Sequence, residues 1–308
     1  MSAGRLLASG LVGLTGLGVG VWGYALSEAK QYTLRRVDAP VLRPDSPPLT
    51  ILHLSDIHLV ASQRDKLDWI AALAELAPDL VINTGDNITS AEAIDPLLEA
   101  FDGLLDVPGA FVFGSNDYIS AGFKNPLKYL TRPSAAPAGS SALDDPTREL
   151  PWPRLRDGFT RRGWIDLTHH KQLLQVGEHT LELRGTDDAH LGRDRYAEVA
   201  GPAAEQAEVS LGVTHAPYLR LLDAMTRDGL DLIIAGHTHG GQVCLPTGAL
   251  VTNCDLDRAR AKGLSSHTCG GRTSALHVSA GLGTSPFTPY RLFCKPEATL
   301  LRLVPRAR

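Results

Sequence analysis

No two cysteines of this chain stand in C-x-x-C spacing, which removes a zinc knuckle from consideration. An excess of charge is missing too: 30 Lys and Arg oppose 34 Asp and Glu, a net charge of −4. There is no basic stripe with interleaved aromatics, so nucleic acid is not expected as a partner. Internal repeats, a twin-arginine export signal and a clear A-x-A cleavage site are likewise not seen. The four cysteines, Cys244, Cys254, Cys269 and Cys294, all fall in the last quarter. That clustering fits disulfides in an oxidising compartment or, as readily, buried free thiols.

What is present is ordinary globular composition over 308 residues, 43% hydrophobic and 21% charged. Leu6 to Leu26 carries no charged residue, although six of its positions are Gly. As a helix this run is long enough for a bilayer core of ~30 Å. Residues 1–28 therefore read as a membrane anchor or export signal, with the anchor preferred. Residues 29–48, ending in VLRPDSPPL, read as a linker, and residues 49–305 as one α/β domain. The expectation is a single-pass cell-membrane protein whose large domain lies outside the cytoplasm.

Along the domain, apolar strands alternate with helical periods. Strands are expected at 49–54, 79–83, 110–113, 209–213, 230–235, 275–279 and 298–303. A hairpin is expected at 172–176 and 180–184. Helices are expected near 67–77, 91–104 and 218–227. Residues 119–155, rich in Pro, Ala, Ser and Gly, read as an exposed insertion. Such alternation argues a layered α/β sheet.

The chemistry lies where the strands stop. SDIHL supplies Asp56 and His58; TGDNI supplies Asp86 and Asn87; GSNDY supplies Ser115, Asn116 and Asp117. THAP supplies His215, and AGHTHGGQV supplies His237 and His239. Ligand sites of open α/β folds form beyond the carboxyl ends of strands. A single Asp or His there is usually a turn former or a core residue. Five strand ends all bearing carboxylate, imidazole or amide are hard to explain by packing. Mixed His and Asp donors suit divalent metals such as Mn, Zn or Fe. The donors exceed what one tetrahedral ion needs and suit two ions sharing a carboxylate, which clamp a phosphoryl group.

The order D-x-H, G-D, G-x-N-D, H, G-H-x-H resembles the calcineurin-like metallophosphoesterase superfamily, from about residue 49 to 305. GGQV (240–243) and the tail SAGLGTSPFTPYRLFCKPEATLLRL (279–303) look like its bacterial branch with an N-terminal membrane segment or export signal. The resemblance implies a four-layer α/β/β/α sandwich of two mixed sheets. It implies two divalent metals: Asp56, His58 and His239 on one, His215, His237 and an Asn on the other, with Asp86 bridging. It implies hydrolysis of phosphodiester or pyrophosphate bonds by a metal-bridged hydroxide. Lipid-linked substrates of the UDP-2,3-diacylglucosamine type are the first expectation. His237 and His239 are expected to share one face of an extended stretch.

One motif departs from the family. The usual G-N-H-D/E is here Gly114-Ser115-Asn116-Asp117. Asn116 is taken as the metal ligand in preference to Ser115, and Asn116, Asp117 and His190 as the catalytic candidates. Asn cannot give up a proton at neutral pH; His190, in GTDDAHLGRDRY, is the substitute. The rival reading is a metal-binding or interaction protein whose catalysis has lapsed. Lesser expectations are a solvated His169–His170 pair, a core or supporting His53, a phosphate or surface-pair role for Arg291, and Tyr118 at the substrate.

Overall fold

The computed structural model describes residues 18–122 and 145–307. Its strands are β1 (Thr33–Leu42), β2 (Leu49–Leu54), β3 (Leu80–Asn83), β4 (Gly109–Phe111), β5 (Ile165–Asp166), β6 (Lys171–Val176), β7 (His179–Gly185), β8 (Val209–Thr214), β9 (Leu232–Ala235), β10 (Cys244–Leu245), β11 (Gly248–Ala249), β12 (Gly263–Cys269), β13 (Arg272–Val278) and β14 (Glu297–Pro305). One six-stranded sheet has the order β1-β14-β2-β3-β4-β5, the other β12-β13-β9-β8-β7-β6. Both are mixed. β2 to β5 run parallel and β14 lies antiparallel to β2. β7, β8, β9 and β13 run parallel between antiparallel β6 and β12.

Alternation along the strands explains the layering. In β2, Leu49 and Ile51 enter the core between the sheets, while Leu52 and Leu54 face outward into a second core. β3 does the same with Leu80 and Ile82 inward and Val81 outward. β9 offers Leu232 and Ile234 inward and Ile233 outward. A strand with both faces apolar must be covered on both sides. The outer face of the first sheet is covered by helices Arg64–Ala72, Ile94–Ala100 and Trp152–Thr160, through residues such as Leu67, Ile70, Leu97 and Phe159. The second is covered by Leu219–Asp228, through Leu221, Leu222 and Met225. The four layers expected from the sequence are present.

Several expectations change. Residues 29–48 are not merely a linker, because β1 occupies 33–42 and pairs in parallel with β14. The 91–104 helix breaks into a 3₁₀ turn at Ala91–Ala93 and two helices, Ile94–Ala100 and Asp102–Leu105. The exposed insertion ends earlier than residue 155: Leu150 and Leu155 are buried, and the helix from Trp152 joins the core. Residues 123–144, the middle of that insertion, lie outside the described residues. So do residues 1–17 of the expected anchor. Among the described residues no helix is long and apolar enough to cross a membrane. The helix at 18–28 lies against the domain at its end, with Glu28 and Ala25 buried and Trp22 against Tyr290.

Candidate metal centre

Three of the five strand ends, those of β2, β3 and β9, turn through a strained backbone. Asp56, His58, Asp86, His237 and His239 all have left-handed φ, between 43° and 69°. Such conformations in non-glycine residues persist only where surrounding contacts enforce them, and they gather at functional sites. Here the loops enforce one another. The Asp56 N–H donates to Gly85 O and the His58 N–H to Asp86 O, each at 2.9 Å. The His237 N–H donates to Asp56 Oδ2 at 2.9 Å. This approach requires glycine at 236, where a Cβ would collide with Ser55 Oγ and Asp56 Oδ2. Gly114 is required likewise, because a Cβ there would meet Asp86 Oδ1 and the His215 ring. The extended geometry expected for 237–239 is therefore corrected. β9 ends at Ala235, and His239 opens a 3₁₀ turn.

The loops bring one ligand atom each of Asp56, His58, Asp86 and His239 within 4.8 Å of one another. His58 Nε2 faces His239 Nε2 at 3.1 Å and Asp86 Oδ2 at 3.3 Å; His239 Nε2 lies 3.4 Å from Asp56 Oδ1. Beside this group, His215 Nε2 lies 3.6 Å from Asp86 Oδ1 and 3.3 Å from His237 Nδ1. Nitrogens that face one another with carboxylates alongside fit shared cations. Asp56 Oδ1 supports this, being buried without a hydrogen-bond partner. The outer nitrogens of three of the four histidines meet backbone carbonyls; that of His58, Nδ1, is buried with no partner. His215 Nδ1 reaches Thr84 O at 2.8 Å, His239 Nδ1 reaches Gly283 O at 3.2 Å, and His237 Nε2 reaches Asn253 O at 3.2 Å. Donation to these carbonyls leaves the inner nitrogens as lone-pair donors. The donor set fits two divalent ions with Asp86 between them.

The charges agree with that use. Burial works against the Asp86 carboxylate, but His215 and His58 outweigh it and hold its pKa well below the usual range. Burial pushes His239 down to about 4, against the pull of Asp56. Burial, with His190 and His215 nearby, also keeps His237 well below its ordinary value. An ionised Asp86 and neutral His237 and His239 are the forms that bind a cation. His215 differs: burial is outweighed by Asp86, Asp188 and Asp56, which push it up to about 9. Without metal it carries a proton that a cation must displace.

Around this centre the other expected residues sort themselves. Asn116 bonds Asp86 directly, through its backbone N–H to Oδ1 and through Nδ2 to Oδ2, both at 2.7 Å. Ser115 lines the cavity beside it. Asp117 is not at the cavity. Its carboxylate is fully buried and accepts the backbone N–H groups of Asp86, Asn87 and Gly114 at 2.8 to 3.0 Å. The catalytic role expected of Asp117 becomes one of positioning, tying the second loop to the third. His190 lines the cavity 4.4 Å from the His237 ring, with Nδ1 3.1 Å from Tyr218 Oη. Tyr118 is buried, donates to Asp187, and does not line the cavity. His169 and His170 are also away from it; His169 meets the backbone of Arg193 and Arg195. His53 is a supporting residue: it reaches Thr84 Oγ1, which donates to Ser55 Oγ, which donates to Asp56 Oδ2. Arg291 fits neither expected role. It is fully buried and donates to the carbonyls of Ala280, Gly281 and Gly283.

The cavity is about 390 Å³ and reaches beyond the motifs to Arg148, Gln242, Asn253 and Tyr290. Gln242 and Tyr290 lie in stretches the sequence singles out, GGQV and the 279–303 tail; Arg148 and Asn253 carry no such signal.

The sequence profile of the calcineurin-like phosphoesterases matches residues 49–241, well over half of the chain. This chain belongs to the calcineurin-like phosphoesterase family. The members are phosphoester hydrolases that use two divalent metals, the number the site's donors fit. The uncharacterized protein YpbG of Bacillus subtilis is 29% identical over 64% of this chain. That match spans 63% of YpbG, less than two thirds of its length. Phosphodiesterase YaeI of Escherichia coli is 26% identical, over 85% of this chain and 84% of its own. The uncharacterized metallophosphoesterase YkuE of Bacillus subtilis is 24% identical, over 98% and 93%.

Proposed function

We propose that this chain is an active, membrane-held phosphodiesterase or pyrophosphatase acting on an amphipathic, lipid-linked substrate. The observation that carries this is the composition of the cavity wall. His58, Asp86, Asn116, His237 and His239 line it, and so do Ile119, Leu191, Val243, Leu250 and Tyr290. A phosphoryl group beside the ligands leaves those apolar residues for an apolar arm. The wall adjoins the 18–28 helix through the Trp22–Tyr290 contact, and Val19, Trp22 and Tyr24 of that helix are exposed. Residues 6–17, uncharged like the start of this helix, precede it. Pyrophosphates of the UDP-2,3-diacylglucosamine type belong to the proposed substrate class. A catalytic domain outside the cytoplasm is part of the same proposal.

Bound metals supply Lewis-acid charge and a nucleophile drawn from water. The chain's residues do the rest. Asp56, His58 and His239 would hold one ion and His215 and His237 the other, with Asp86 shared. Asn116 orients Asp86 and presents its side chain to a phosphoryl oxygen. His190, oriented by the Tyr218 hydroxyl, delivers a proton to the leaving group. Arg148 lies on the cavity wall as a cation for a second phosphate.

The test is a comparison of kcat/KM for the full chain in mixed micelles, on a diacylated nucleoside pyrophosphate and on its deacylated counterpart. The proposal expects the acylated substrate to be preferred by about 10-fold or more, as two or more buried methylenes supply. Equal or lower kcat/KM for the acylated substrate contradicts it.

A further inference from the structure

Behind the metal ligands lies a second small cluster of buried side chains. Cys244 and Cys294 are 4% and 1% exposed and pack with Ala280. The backbone brings them together. Val243 and Leu292 form a parallel bridge, and the Cys244 N–H donates to Leu292 O at 2.8 Å. Both sulfurs then sit on one carbonyl. Cys244 Sγ lies 3.2 Å and Cys294 Sγ 3.5 Å from Gly240 O, and the two thiols hydrogen-bond each other. Lys262 Nζ and Arg291 Nη1 lie 3.6 Å and 3.8 Å from Cys294 Sγ. Cys294 Sγ also lies 3.4 Å from His239 O. The pair is shallow, since the chain neighbours Leu245 and Phe293 are 48% and 56% exposed.

We propose that Cys244 and Cys294 are a redox modification site that closes to a disulfide under a peroxide oxidant. The Cys294 sulfur, giving up its proton, attacks one oxygen of hydrogen peroxide. The O–O bond breaks, leaving a sulfenic acid and hydroxide. The Cys244 sulfur attacks that sulfur; the S–S bond forms, the S–O bond breaks, and the second hydroxide leaves. The thiol protons and the hydroxides make two waters, so two thiols lose two electrons and peroxide gains them. The bond spans the Gly240 carbonyl and braces the turn that carries His239. Glu28 continues the brace outward, because its carboxylate accepts the N–H groups of Phe293 and Cys294 at 2.9 and 2.7 Å. Oxidation thus joins the 18–28 helix, the 291–294 loop and the His239 turn covalently and by hydrogen bonds.

The experiment uses the full chain in detergent, first reduced, then treated with hydrogen peroxide. Remaining thiols are alkylated, and the protein is digested without reductant for mass spectrometry. The expected product is a peptide pair joined through Cys244 and Cys294 and separated by dithiothreitol, with Cys254 and Cys269 alkylated. In Cys244→Ser, Cys294 is expected to proceed to sulfinic acid instead. Wild-type Cys244 and Cys294 that are both alkylated after peroxide overturn the proposal. So does either one joined to Cys254 or Cys269.

Discussion

Asn116 grips Asp86 at both carboxylate oxygens, with the backbone N–H on Oδ1 and the side-chain Nδ2 on Oδ2, each 2.7 Å away. The carboxylate that lies between the two ligand groups is thus oriented by one of the two residues at which the third motif departs from its family. The changed motif keeps a grip on the centre, which argues against lapsed catalysis.

Asn116→Ala removes the side-chain half of that grip and leaves the backbone half. Residues that orient a metal ligand typically contribute 10–100-fold in affinity or activity. We expect kcat to fall by about that factor, with the fold retained by circular dichroism. Unchanged kcat contradicts the role given to Asn116.

His190→Gln separates proton delivery from metal chemistry. p-Nitrophenolate leaves without a proton, whereas an alkoxide needs one. General acid assistance contributes about 10²–10⁴. The variant is expected to lose about 10²-fold on an alkyl phosphodiester and far less on bis(p-nitrophenyl) phosphate. Equal losses on both substrates remove the proton-donor role.

Lys66 gives a stability test that varies with pH. It is 2% exposed and donates to Ile57 O at 2.8 Å, between two ligand residues. Burial, then the Arg291 charge, lowers its pKa from 10.5 to about 7. The folded chain therefore binds fewer protons than the unfolded chain between pH 7 and 10.5. The penalty is full below about 7 and fades as pH rises to 10.5. Replacing buried ionised groups by hydrophobic residues of similar volume, measured for ion pairs, ranges from neutral to a gain of about 1–4 kcal/mol. Lys66→Met is expected to gain stability in that range at pH 6 by urea unfolding, and less at pH 9. A gain that does not shrink with pH contradicts the assignment.

The ligands were legible because each apolar run ends on its own donor, and a run with both faces apolar announces a covered strand. Asp56, His58, Asp86, His215, His237 and His239 could thus be placed together from strand ends alone. β1 was hidden because TLRRVDAPVL mixes charges with apolar residues and carries Pro40. That pattern suits an edge strand, whose other side needs no partner, and among the described residues β1 pairs only with β14. Asp117 misled for another reason. Its partners are backbone amides of a different loop, and sequence does not show where a carboxylate finds amides. The His237–His239 turn was misread as extended because residue spacing carries no information on the sign of φ. Arg291 could not be placed from the sequence, since a guanidinium solvated by carbonyls of its own loop leaves no pattern.

The central claim is a working two-metal hydrolase, and it is tested most directly by hydrolysis of bis(p-nitrophenyl) phosphate. The protein would be stripped of metal, then reloaded with Mn or Zn, with Asp86→Ala measured alongside. Turnover restored by metal in the wild type and absent in Asp86→Ala is the expected result. Two metals bound per chain, with turnover no higher than that of Asp86→Ala, contradicts it and favours a protein that binds metal without hydrolysing phosphodiesters.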